Sequence, residues 1–184
     1  MLPSVTSTSP SRWGRLAPRW QFLLVAAILY VGWLMVYEGI VGPDGRLDYW
    51  LSANIAAASA GLLQVLGFAA GATNGVPELL MNGRPAVLVG SPCDGLVLYA
   101  LFSGFIIAFP GPVRPKLWFI PLGIAALYLL NIVRVGALAL NHYYAHQSVD
   151  FNHHYTFSFV VYGCICLLWM GWVRRYGTPA AADA

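Results

Sequence analysis

Charge is what this sequence has least of. Only 9% of its 184 residues are Asp, Glu, Lys or Arg, against about 25% in a soluble globular domain. With 59% hydrophobic residues, that shortage excludes an ordinary soluble domain and describes an integral membrane protein. The formal net charge is a modest +3. The arginines sit in short clusters flanking apolar runs and form no stripe, so nucleic acid is not an expected partner. There is no HExxH or CxxC spacing to announce a metal site, no internal repeat, and no evident disulfide partner for Cys93.

Long apolar runs are present: Trp20–Val41, Trp50–Ala72, Gly95–Phe109, Leu117–Leu140 and Tyr155–Val173. A membrane-crossing helix needs about 20 residues. The first, fourth and fifth runs satisfy this, and the third does if Pro92 to Pro110 is counted. The first exceeds the ~7–15 apolar residues of a signal-peptide core and has no small-residue cleavage site after it, so it reads as a retained helix. The second is Ala-rich and interrupted by Ser52, Asn54, Ser59 and Gln64. Its larger residues, Leu51, Ile55, Leu62, Val65 and Leu66, fall near one face, as in an interfacial or re-entrant helix.

Basic residues set the expected topology. Arg174-Arg175 place the C-terminus in the cytoplasm, Arg114 and Lys116 mark an inner loop, and Arg12, Arg15 and Arg19 hold the N-terminus inside. These signals agree when residues 50–72 start and end outside. The expected fold is an all-α membrane bundle of about four transmembrane helices, with one outer-face interfacial or re-entrant helix and a small β-hairpin. Five or six crossings with a flipped N-terminus is the alternative. Residues 1–19 read as a cytoplasmic tail, 20–175 as one membrane-embedded domain, and 176–184 as a disordered tail. The hairpin is expected in "VPELLMNGRPAVLV", where two apolar runs flank Asn82-Gly83 and Pro85 suits an edge strand; an irregular loop is the alternative.

A few polar residues break the apolar pattern. Arg134 lies in "LLNIVRVGAL". Counted from Trp118, it is about 24 Å across a hydrocarbon layer of roughly 30 Å. An Arg there can snorkel to the headgroups, but most intramembrane charges face a protein interior and mark function. Asn131 is one turn earlier on the same face. Cys93 opens the third run and His153-His154 the fifth, both at the expected outer side. A thiol, a guanidinium and an imidazole are thus expected at similar depth. That set suits nucleophilic catalysis, because the thiolate is the reactive form and a neighbouring cation favours it. Cys164 and Cys166 lie deeper and read as packing residues. His142, His146, Asp150, His153 and His154 form a looser cluster that could hold a metal or simply line the interface. Asp94 could orient a catalytic group or cap the helix that follows, and Gly95 lets that helix start close to its partners.

These motifs resemble the exosortase/archaeosortase family: Cys93-Asp94-Gly95 at the start of one membrane helix, Asn131-Ile132-Val133-Arg134 in the next, and His153-His154 opening the last. The resemblance covers most of residues 50–173. Many family members carry Ser or Ala after the cysteine, where this chain has Asp94. Phe157, Ser158 and Tyr162 follow His154 at the family's spacing, which favours His154 over His153 as the catalytic imidazole.

The resemblance implies a cysteine peptidase or transpeptidase without cofactor or metal. Cys93 would be the nucleophile, Arg134 the oxyanion stabiliser and His154 the acid and base. The substrate would be a membrane-anchored protein with a C-terminal sorting signal, cut at the outer face of a prokaryotic cytoplasmic membrane. Two other readings stay open: a non-enzymatic assembly or transport component with Arg134 as a structural or ligand-binding charge, and a metal-dependent membrane hydrolase.

Overall fold

The computed structural model describes residues 17–73, 75–144 and 157–177. Helix α1, Pro18–Val36, runs on through a π-helical turn, Tyr37–Val41, and a last turn, Gly42–Asp44. Gly45 then takes a left-handed φ of 62°, a conformation that Gly adopts without a Cβ clash, and breaks the rod. Helix α2, Arg46–Val65, starts from that corner. Strands β1 (Ala70–Ala72), β2 (Glu78–Met81) and β3 (Arg84–Leu88) follow, then a 3-10 turn, Ser91–Cys93. Helices α3 (Leu96–Ala108), α4 (Val113–Tyr144) and α5 (Phe157–Tyr176) complete the chain.

The fold is mostly helical, and among the described residues two helices are long and apolar enough to cross a membrane. These are Arg19–Asp44, of 26 residues, and Val113–Tyr144, of 32. The apolar α3 has 13 residues.

The expected hairpin is present and larger than the sequence suggests. β2 and β3 pair antiparallel around Asn82 and Gly83, with φ of 49° and 74°, the double positive φ of a two-residue hairpin turn. Pro85 sits on β3, an edge strand of the order β1-β2-β3, where a missing N–H is harmless. β1 adds a third strand from Ala-Gly-Ala, a segment with no β-branched or aromatic residue to signal it.

The buried stripe of α2 comprises Asp48, Leu51, Ser52, Ile55, Ala56, Ser59, Ala60 and Leu63, a helical repeat of three and four. This differs from the face expected from the larger apolar residues. Val65 and Leu66 are exposed, and two of the interrupting serines point inward. The reason is close packing of α2 on α4, which favours small side chains. Ser59 Oγ donates to the carbonyl of Ile132 at 3.0 Å, and Gly136 faces Leu63.

The other half of the core is aromatic. Phe105 stacks on Trp169 at 4.2 Å between centroids, and Trp172 lies between Phe119 and Tyr176. Phe22 of α1 meets Phe105 and Phe109 edge-on. Lys116 closes the α3–α4 corner, its Nζ donating to the carbonyls of Ile107 at 2.9 Å and Phe109 at 2.8 Å. Those carbonyls belong to the end of α3, where intrahelical donors run out.

Phe102, fully buried, lies against Gly123 of α4, where an added Cβ would collide with its ring. Gly123→Ala is expected to lower stability by about 1–3 kcal/mol, the cost of overpacking a filled core. Gly104→Ala meets nothing within 4 Å and is the matched control. Thermal unfolding of the two variants in detergent measures the difference, and equal melting would show that Phe102 can swing aside.

Candidate active site

Cys93 ends the 3-10 turn, its N–H donating to the Gly90 carbonyl at 2.7 Å. Asp94 and Gly95 then turn the chain into α3. Gly95 has φ 82° and packs under Tyr99, whose hydroxyl would lie 2.8 Å from an added Cβ. Backbone strain and lack of space both demand glycine there. Asp94 is 1% exposed, and its Oδ1 accepts the Leu96 N–H at 2.8 Å. This Asx-type bond satisfies an amide that the new helix leaves unpaired.

Helix α4 brings two side chains to this turn. Asn131, 2% exposed, donates from Nδ2 to the Cys93 carbonyl at 2.7 Å. One turn later Arg134, 9% exposed, points Nη2 at Cys93 Sγ, 3.8 Å away. The spacing of three puts both on one face, so the pair grips the same residue by its backbone and by its thiol. None of the three cysteines forms a disulfide. Beside the turn lies a cavity of about 260 Å³, lined in part by Ser91, Asp94, Gly95, Arg134, Val161 and Tyr162. Helix α5 therefore reaches the site through Val161 and Tyr162.

The structure thus brings together Cys93, Asp94, Gly95, Asn131 and Arg134. His153 and His154 lie outside the described residues, as do His146 and Asp150, while His142 is on the last turn of α4. Cys164 and Cys166 sit within α5.

Sequence reasoning missed Asp48. It belongs to the buried stripe of α2, and Tyr37 Oη donates to its Oδ2 at 3.1 Å. The available signal was position: Asp48 precedes Leu51, Ser52 and Ile55 at three-and-four spacing, so an acid sits on the inward face.

The geometry joins a thiol, a guanidinium and a preformed cavity on three separate segments. Comparison with protein families gives a match: the model of the Exosortase_EpsH family, described as transmembrane exosortase, matches residues 5–171. The chain belongs to the transmembrane exosortase family. No curated protein and no solved structure matches it. Exosortase membership supports a membrane protein with a transpeptidase-like role, acting on protein substrates that carry sorting signals.

In this exosortase, the Asn131 bond is expected to hold the Cys93 turn in place. Asn131→Leu leaves the Cys93 carbonyl without its donor and should cost about 1–3 kcal/mol, the penalty of an unpaired buried polar group. Thermal unfolding reads that loss, and peptide-resolved alkylation of Cys93 reads the accompanying change in thiol exposure. An unchanged melting point would mean that another donor replaces the amide.

Proposed function

We propose that this protein is a membrane cysteine transpeptidase, with Cys93 as nucleophile, Arg134 as its charge partner and His154 as acid and base, His153 standing as the alternative imidazole. The approach of Arg134 Nη2 to Cys93 Sγ at 3.8 Å carries the reading. A buried guanidinium is expensive, and spending it on a thiol pays only where negative charge develops.

In the proposed reaction the Cys93 thiolate attacks a peptide carbonyl carbon, and the carbonyl π electrons move to oxygen. Arg134 stabilises that oxyanion, a task in which one preorganised donor contributes about 2.7–4 kcal/mol. The tetrahedral centre collapses, the C–N bond breaks, and His154 protonates the leaving amine. The acyl group is then a thioester on Sγ. A second nucleophile loses its proton to the imidazole and attacks the thioester, and the C–S bond breaks to release the Cys93 thiolate beside the imidazolium.

The proposed substrate is a membrane-anchored protein with a C-terminal sorting signal. An apolar groove of about 210 Å³ between α1, α3 and α5 shares Val97 with the cavity at Arg134, so an apolar substrate segment against the groove would lead toward that cavity. The topology that fits is four crossings with α2 on the outer face of a prokaryotic inner membrane, both termini cytoplasmic, and cleavage outside.

Cys93→Ala is expected to abolish processing of a co-expressed membrane-anchored substrate. Arg134→Ala should slow it by about 10²–10³, in line with the loss of an oxyanion donor. Immunoblotting of the cleaved substrate measures both, and processing that survives Cys93→Ala sinks the reading. A membrane-impermeant thiol reagent applied to intact cells should label Cys93 from outside.

A further inference from the structure

Two buried acids meet behind the nucleophile turn. Asp48 of α2 is 9% exposed and Asp94 is 1% exposed, and α2 packs against the Ser91–Cys93 turn that Asp94 follows, which makes the two acids neighbours. Each has one oxygen engaged: Asp48 Oδ2 accepts from Tyr37 Oη at 3.1 Å, and Asp94 Oδ1 accepts from the Leu96 N–H at 2.8 Å. The other oxygens, Asp48 Oδ1 and Asp94 Oδ2, are buried and lack a partner among the described residues. Neither acid forms an ion pair among those residues, and Arg134 directs Nη2 at Cys93. Two ionised carboxylates this close and this dry repel strongly, and such pairs hold a proton in common.

We propose that Asp48 and Asp94 share one proton, and that this bond locks the Ser91–Cys93 turn to α2 so that the Cys93 thiol stays aimed at Arg134. The proposal rests on the reading of Cys93 as nucleophile. Asp48 and Asp94 are positioning residues, since neither needs to touch substrate.

The surroundings fit a built device. Tyr37 comes from the π-helical turn of α1, a distortion frequent at functional sites. Its hydroxyl lies near the Ser91 side chain and bonds Asp48, so α1 and α2 flank the turn from one side. Tyr99 of α3, backed by Tyr128 of α4, faces Asp94 from the other. Arg134 of α4 and Tyr162 of α5 line the adjoining cavity. None of these tyrosines supplies the missing donor between the acids. The device is intact while the pair keeps its proton. It fails as pH rises and the proton leaves, because two anions then push the turn away from α2.

Infrared spectroscopy of the purified protein tests the proton directly. A protonated-carboxyl band is expected at neutral pH, and it should vanish in both Asp48→Asn and Asp94→Asn. Absence of the band, or its survival in either variant, overturns the shared proton. Processing tests the positioning. Asp48→Ala should lose about tenfold activity, as for a lost buried hydrogen bond, and Asp48→Asn should recover most of it. An amide donates permanently, so in Asp48→Asn the alkaline fall of activity should lose the part due to the acid pair and keep only that of the His154 acid. An Asp48→Ala protein as active as wild type, or an alkaline limb unchanged in Asp48→Asn, overturns the positioning role. Processing that survives Cys93→Ala would sink the transpeptidase reading while leaving the infrared result to stand or fall alone.

Discussion

The hydrogen bond from Asn131 Nδ2 to the Cys93 carbonyl, 2.7 Å long, joins residues 38 positions apart. It fixes the height of the Cys93 turn against α4, and the rest of the site follows from that height. Arg134, one turn on, can reach the thiol only because Asn131 sets the register. Gly95 can start α3 at once only because the turn before it is anchored. Ser59 binds the carbonyl of Ile132, next to Asn131, so α2 is tied to the same level of α4 and brings Asp48 with it. One polar level, surrounded by apolar packing, orders four segments.

Packing supports that level through size contrast. α2 offers Ser, Ala and Leu to α4, and the two helices lie close. α3 offers Phe102 to the notch at Gly123 and stacks Phe105 on Trp169. With lipid as solvent, hydrophobicity does not drive helices together, so fit between surfaces has to. Small residues on one side of α4 and a ring in a notch on the other are two solutions to the same requirement. Helix α1 differs, since none of its apolar window is buried. Its contribution is local: the edge contacts of Phe22 and the reach of Tyr37.

Much of the site was legible in the sequence because polar residues in apolar runs are costly and therefore informative. Cys93, Asn131 and Arg134 stood out on that ground, and Asn82-Gly83 announced its turn by backbone chemistry. Asp48 did not stand out. It lies in "GPDGRLDYW", among charges that look solvent-facing, and only the packing of α2 reveals which one turns inward. The face of α2 was misread for a related reason: side-chain size suggests burial in water, whereas here closeness to α4 selects serine and alanine. Strand β1 had no signal of its own, because Ala-Gly-Ala becomes a strand only when β2 is beside it. The histidines open the fifth apolar run, outside the described residues, so the sequence remains the ground for their role.

The length of α3 has a kinetic side. Thirteen residues rise about 20 Å, some 10 Å short of a typical hydrocarbon layer. In the proposed topology, with its Lys116-capped end at the inner boundary, the thiol at the other end would be recessed from the outer surface yet reached from that side. An acyl group parked on sulfur at that depth would be shielded from hydrolysis. Its lifetime would then depend on how soon an acceptor descends to it, and under the proposed reaction a shortened helix would favour transfer over hydrolysis.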